Sequence, residues 1–367
     1  MGVATLKRIV PFLPLFNFLI VLIKRGPIQW RKLKNLVPYF AKFTLLEPFR
    51  ISGEIIHFFR SKNEVKNPLF VLGFYGSGTS YLQHLINQDP QFATLTLWDS
   101  MVPELLYFKK ITQPAFDFAS KKIKMKNEYH RLPFDWNFPG ECDVAINSEV
   151  AVYDFNQLFQ FPSKHQSIIE EHLDFGDLKK AQRSWTQHHK HLISRISNIN
   201  KGNRLVLKSP PNTARISMLK EIYPEAKFVF LKRNLFDTII ANKTLWKLNK
   251  IRSFQRYDTN EIETLVMKLY IVFHKQYLKQ RNALQPDELI EIDFESLADN
   301  PLKTLFTIYD TLQIPGYTYA QSGFKSLITE RADFPRKIYS YQQSWKNKIE
   351  KECGQIWKEL NADWKQN

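Results

Sequence analysis

Apolar positions follow three regimes along the chain. Residues 9–23 (IVPFLPLFNFLIVLI) are apolar but for Asn17, with Lys7-Arg8 before them and Lys24-Arg25 after. Residues 28–62 then interleave Trp30, Leu33, Val37, Phe40 and Phe43 with lysine and arginine, a spacing that predicts further amphipathic helix. From Asn67-Pro68 onward, short continuous apolar runs alternate with helical patterns. Residues 69–73 (LFVLG), Arg204–Lys208 (RLVLK) and Lys227–Lys232 (KFVFLK) read as strands buried on both faces, as in a sheet covered by helices. Helices are predicted over residues 81–88, 212–223, 237–248 and 261–281, the second capped by Asn212 and stopped by Pro224.

Composition narrows the classes. The chain has 367 residues, with 44% hydrophobic and 24% charged, enough to bury a core and to exclude disorder or a collagen-like fibre. Two cysteines, Cys142 and Cys353, exclude a disulfide framework and read as packing residues. A net charge of +16 implies anionic company, and residues 1–66 hold twelve Lys or Arg against three acids, so the excess is largely N-terminal. Residues 9–23 are short for a membrane span, carry Pro11 and Pro14, and lack a following small-residue cleavage site. Basic flanks on both sides favour peripheral or monotopic contact with an anionic membrane surface; a groove on the chain's own core is the other reading. No nucleic-acid motif accompanies the basic residues, so no nucleic-acid partner is expected.

The candidate chemistry begins after the first strand. Gly73-Phe74-Tyr75-Gly76-Ser77-Gly78-Thr79-Ser80 joins that strand to a helix. Glycines let backbone amides converge on an anion, Ser77, Thr79 and Ser80 add hydroxyls, and the helix N-terminus adds partial positive charge. A nucleoside triphosphatase would place lysine where Thr79 stands, which argues against ATP or GTP chemistry. Lys208-Ser209 and Lys232-Arg233 also follow apolar strands. Ligands of open α/β sheets bind beyond the carboxyl ends of the strands, so these residues and the loop should share one edge.

The chain resembles the sulfotransferases that use 3′-phosphoadenosine 5′-phosphosulfate. Four segments carry the likeness, in the family's order: PLFVLGFYGSGTSYLQHLI, NQDPQFATLTLWDS, RLVLKSPPNTARISMLKEIYPEAKFVFLKRNLFDTII and LIEIDFESLADNPLKTLFTIYDTLQIP. The resemblance implies an α/β fold with a parallel central sheet flanked by helices, like the P-loop nucleotide kinases, here following an N-terminal helical arm. It implies a donor site at Tyr75, Gly76, Ser77, Gly78, Thr79, Ser80, Lys208, Ser209, Arg233, Arg336 and Lys337, with no metal. It places the acidic base at Asp99, directly after Trp98; Glu104 and Glu141 are weaker alternatives. Two departures stand out. Gly76 occupies the family's usual basic position, and Ala241 replaces a serine eight residues after Arg233. Lys208 is the expected substitute for the missing cation, and Lys232, Asn242 or the Arg336-Lys337 pair for the missing hydroxyl.

The expected organisation is an arm over residues 1–66, a sulfotransferase-like domain over 67–345 and a charged helical tail over 346–367. The expected function is sulfuryl transfer to a hydroxyl or amine of an amphipathic or lipid-like acceptor, in a cytoplasmic protein held at a membrane peripherally or by a single N-terminal anchor. The rivals are an impaired relative that binds nucleotide or lipid, and a P-loop kinase needing Mg²⁺ and ATP. His188 and His191 share a helix face but lack a visible third ligand for zinc.

Overall fold

The computed structural model describes residues 8–60, 65–123, 126–127, 132–133, 135–150, 157–174, 179–256, 258–331 and 339–362. The chain divides into two compact units. One comprises Lys66–Thr94, Asn203–Lys247 and Thr259–Asn367; the other comprises Met1–Val65, Leu95–Gly202 and Leu248–Asp258.

The first unit is built on a parallel sheet of β1 (Leu69–Leu72), β2 (Phe92–Ala93), β3 (Arg204–Lys208), β4 (Lys227–Lys232) and β5 (Leu289–Asp293), ordered β2-β3-β1-β4-β5. β1 lies between β3 and β4, with Val71 opposite both Lys208 and Val229. All four β1 residues are buried, as its unbroken apolar run requires. Leu69, Val71, Val206, Val229 and Ile290 share a core with Leu82, Leu85, Leu305 and Phe324 from the covering helices. Each such aliphatic or aromatic side chain contributes about 1.5–3 kcal/mol when fully buried.

The strands Arg204–Lys208 and Lys227–Lys232 recur with the predicted ends, and the other predicted elements recur with shifted ones. β1 stops at Leu72 because Gly73 turns the chain, and the following helix starts early, at Thr79, with Gly78 as its left-handed cap. The single helix expected over 212–223 is a 3₁₀ turn, Pro210–Ala214, followed by a helix Ile216–Ile222. Adjacent prolines fix the backbone at the start of that turn. The helix Gln343–Ala362 belongs to this unit and buries Ile349, Cys353, Ile356 and Leu360.

The other unit is mainly helical. The apolar N-terminal run forms the helix Leu13–Arg25, 13 residues and about 20 Å long, short of the ~30 Å hydrocarbon core of a bilayer. Among the described residues no helix is long and apolar enough to cross a membrane. Phe18 is buried against Tyr39, Phe40, Phe43 and Phe254, whereas Phe16, Ile20 and Ile23 stay exposed. The helix therefore covers its own core with one face and leaves the other apolar face exposed. The amphipathic helix expected over 28–62 is three pieces, a 3₁₀ stretch Trp30–Leu36 and helices Val37–Leu45 and Glu47–Phe59, with Pro38 and Pro48 in the first turns of the last two.

Candidate active site

The loop after β1 is held open from outside. Gly73 leaves the strand at φ 144°, and its amide donates to Thr213 Oγ1 at 2.8 Å. A Cβ there would come within 2.6 Å of Ser77 Oγ and 2.7 Å of the Leu231 carbonyl, so only glycine lets the chain turn this tightly. Gly76 and Gly78 also take positive φ, 81° and 96°, and a Cβ on Gly78 would lie 2.3 Å from the Phe294 ring. Ser77 commits both its amide and its hydroxyl to the Phe74 carbonyl, at 3.1 and 2.7 Å. Its hydroxyl builds the loop, leaving Thr79 and Ser80 as the hydroxyls of the helix start.

Two side chains pull the loop carbonyls outward. Asn242 Nδ2 donates to the Tyr75 carbonyl at 2.7 Å and Arg233 Nη1 to the Gly76 carbonyl at 2.9 Å. With its carbonyls so engaged, the loop keeps donors in hand: the amides of Gly76, Gly78, Thr79 and Ser80 meet no acceptor among the described residues. Converging unpaired amides at the start of a helix are what an anion needs. An oxyanion-bearing donor fits this cradle.

Arg233 thus brings a guanidinium to the backbone of the very residue that lacks the family's basic side chain. It is buried, lies 3.4 Å from Asp237 Oδ2, and is stacked with Phe294 and Tyr339 at 4.7 and 5.6 Å from the ring centres. Lys208 closes β3 beside Val71 and is buried, with Ser209 also buried next to it. The loop, Lys208, Ser209 and Arg233 therefore gather at the carboxyl ends of β1, β3 and β4, the edge expected from their strands. Lys232 is drawn elsewhere, to Asp293 Oδ1 at 3.3 Å, to Asn361 and over the Trp357 ring. Ala241 is buried and presents no polar atom. Arg336 and Lys337 lie outside the described residues.

Beneath the loop, Phe74 packs on Tyr270, Phe273 and His274. Burial holds the His274 imidazole down to about 4, and its Nδ1 donates to the Tyr270 carbonyl at 2.7 Å, so it is a neutral support.

Asp99 belongs to the helical unit. It is the third residue of the short helix Leu97–Met101, in a capping box with Thr96. Its Oδ2 accepts from the Thr96 amide at 2.9 Å and the Thr96 hydroxyl at 2.8 Å, and its Oδ1 from Lys109 Nζ at 3.0 Å. The Thr96-Leu97-Trp98-Asp99 pattern carries this signal in the sequence, as a T-x-x-D box. Glu104, in the same unit, is buried with Lys42 Nζ at 3.3 Å; burial pushes its carboxyl above the usual range although Lys42 opposes the shift. Glu141 donates its amide to Ser100 Oγ at 2.9 Å. His191 Nε2 donates to Glu54 Oε1 at 2.8 Å and His188 Nδ1 to the Ser184 carbonyl.

Thr213, Asn242 and the Arg233 contact to Gly76 were not visible as loop supports in the sequence. Their partners lie 140, 167 and 157 residues away, beyond any local spacing rule.

The model for the sulfotransferase family matches residues 68–319, spanning the loop and every strand of the sheet. The chain belongs to the sulfotransferase family. Among relatives of this sulfotransferase, the omega-hydroxy-beta-dihydromenaquinone-9 sulfotransferase of Mycobacterium bovis is 20% identical over 295 residues, covering 79% of this chain and 74% of that protein. The protein of the same name from Mycobacterium tuberculosis matches to the same extent. The crystal structure of a sulfotransferase from Mycobacterium avium superposes with a TM-score of 0.69 at 15% identity, covering 87% of this chain and 84% of that one. One from Mycobacterium tuberculosis gives 0.64 at 16% identity, covering 86% of each chain. At these identities the structural likeness establishes a sulfotransferase fold.

Proposed function

We propose that this sulfotransferase moves a sulfuryl group from 3′-phosphoadenosine 5′-phosphosulfate to a hydroxyl or amine of an amphipathic, lipid-like acceptor at a membrane surface. The observation that carries the donor assignment is the loop whose carbonyls are engaged by Asn242 and Arg233 while the amides of Gly76, Gly78, Thr79 and Ser80 stay available. In the proposed step the acceptor oxygen bonds to sulfur as the bond from sulfur to the 5′-phosphate oxygen breaks. The acceptor proton passes to Asp99, and the leaving phosphate meets the loop amides and Lys208. Ser209 and Arg233, with Arg336 and Lys337, are the proposed partners of the 3′-phosphate.

The acceptor class is supported by two observations. A relative is named for a hydroxylated menaquinone derivative. In the helix Glu47–Phe59, Glu47, Arg50, Gly53, Glu54 and His57 are buried while Phe49, Ile55, Phe58 and Phe59 are exposed. That inversion of the usual arrangement suits an apolar solvent outside, and with the exposed Phe16, Ile20 and Ile23 it supports contact of residues 8–60 with a bilayer.

The test is transfer of label from radiolabelled donor to a solvent-extractable product, using purified protein and a lipid extract. Lys208→Ala is expected to lower that turnover by about 100-fold or more, the scale for losing one stabiliser of developing negative charge. Tight binding of 3′-phosphoadenosine 5′-phosphate with no label transferred would favour a binding protein instead. ATP binding that this nucleotide does not displace would favour a kinase.

A further inference from the structure

The helix Lys109–Lys122 (KKITQPAFDFASKK) repeats the inversion in a part of the chain far from residues 8–60. Its inner face carries Gln113 and Ser120 along with Phe116. Gln113 Nε2 donates to Asn137 Oδ1 at 3.1 Å, Ser120 Oγ accepts from Trp136 Nε1 at 2.7 Å, and Phe116 stands edge-on to Trp98 at 4.6 Å. The outer face is apolar. Ile111 is 81% exposed, Phe118 70% and Ile123, just past the helix end, 70%. Exposed Pro114 and Ala115 fill the stripe between Ile111 and Phe118, the i, i+3, i+4, i+7 spacing of one helix face. A helix that hides its amide and hydroxyl inside and shows isoleucine and phenylalanine to the outside presents the kind of apolar patch that marks a contact surface.

The charges identify the partner. Lys110 stands exposed at one end of the stripe and Lys121 and Lys122 at the other, with Asp117 as the helix's one acid. Lys109 is turned inward to Asp99. Apolar residues bracketed by lysines match an interface of acyl chains beneath anionic headgroups. The stripe also continues a neighbouring one: Phe49, exposed on the helix Glu47–Phe59, packs edge-on at 5.3 Å against Phe108, the residue before this helix.

We infer that the outer face of Lys109–Lys122, with Ile123, is a second membrane-docking element, inserting Ile111, Phe118 and Ile123 among the acyl chains while Lys110, Lys121 and Lys122 meet anionic headgroups. The inference rests on the membrane contact proposed for residues 8–60 and extends it to a second stretch of chain. It implies that the protein docks by a surface rather than by a terminal tether, which fixes its orientation on the bilayer.

The test is co-sedimentation of the full chain with vesicles of phosphatidylcholine alone or of phosphatidylcholine with 30% phosphatidylglycerol. The wild type is expected to prefer the anionic vesicles. I111S/F118S and, separately, K110Q/K121Q/K122Q are expected to weaken that partitioning by roughly tenfold or more while far-UV circular dichroism and melting temperature hold. Unchanged partitioning of both variants beside a wild type that binds would overturn this inference and leave residues 8–60 as the docking surface. A wild type that binds neither vesicle overturns both. A dimer in light scattering that I111S/F118S converts to monomer would make a second copy the occupant and also overturn the inference.

Discussion

The two units differ in where they place buried charge and exposed hydrocarbon. The sheet unit has a conventional apolar interior; of its buried cations Lys208 and Arg233 stand at strand ends where an anion would be met, while Lys232 pairs with Asp293 and Arg281 with Glu291. The helical unit takes charge inside and leaves hydrocarbon outside. Arg195 is fully buried between Glu149 and Glu54, and donates to the Pro103 carbonyl at 2.9 Å. Glu47 pairs with Arg50 and accepts the Phe12 amide at 2.8 Å, which ties the N-terminal helix to the helix Glu47–Phe59. Burial pushes the Glu149 carboxyl up, but the Arg195 guanidinium beside it outweighs burial and holds it below the usual carboxylate range. Burial, with Arg8 and Arg195, holds the His191 imidazole well below its ordinary value, so its contact to Glu54 at neutral pH is a hydrogen bond to a neutral ring. Among the described residues, every exposed large apolar side chain but Phe306 and Tyr319 belongs to this unit. The contrast teaches that burial alone does not mark a binding site: in the helical unit buried Arg50 and Arg195 are taken up by buried acids of the same unit, which accounts for their burial by cohesion.

Three substitutions probe that division. Arg195→Met should be the most damaging to the fold, because it strands Glu54 and Glu149 without their cation; a loss of about 3–5 kcal/mol in chemical denaturation is expected. A stability within 1 kcal/mol or so of wild type would mean the network does not hold the helical unit together. Asp99→Asn asks whether that unit also contributes to the chemistry. Asparagine keeps an acceptor for the Thr96 amide but cannot take a proton, so turnover should fall by about 100-fold or more with little change in melting temperature. Equal turnover in the two proteins would leave Asp99 as a capping residue alone. Asn242→Leu should cost least: losing one hydrogen bond to the Tyr75 carbonyl, worth about 1.4 kcal/mol, weakens donor binding roughly tenfold. That loss should appear in the KM for the donor, with kcat changed much less, and Asn242→Gln should recover part of it; an unchanged KM would show that the loop holds its shape unaided.

Much of the sheet unit was legible because its signals are local. An apolar run, a glycine-rich turn and a helix in succession predict the loop at Gly73–Ser80, and each strand's last residues predict which side chains reach its edge. Element ends moved by one to four residues where Gly73 and the Pro210-Pro211 pair impose their own backbone. Asp99 shows the reverse difficulty: the Thr96-to-Asp99 spacing is readable as a cap, yet a capping acid and an acid base share one sequence pattern. The loop's outer supports carry no local pattern, since a carbonyl accepts from whichever side chain the fold delivers.

By itself the sequence determined which segments become strands and helices, where the glycines allow the chain to fold back, and that Glu47, Arg50, Glu54 and His57 fall on one stripe of a helix. Only the tertiary structure decided that this stripe faces inward. Periodicity divides a helix into two faces but does not say which one meets the core, and here the answer depends on Arg195 and His191 arriving from about 140 residues away to take up the buried acids. A polar stripe is buried only when its partners are buried with it.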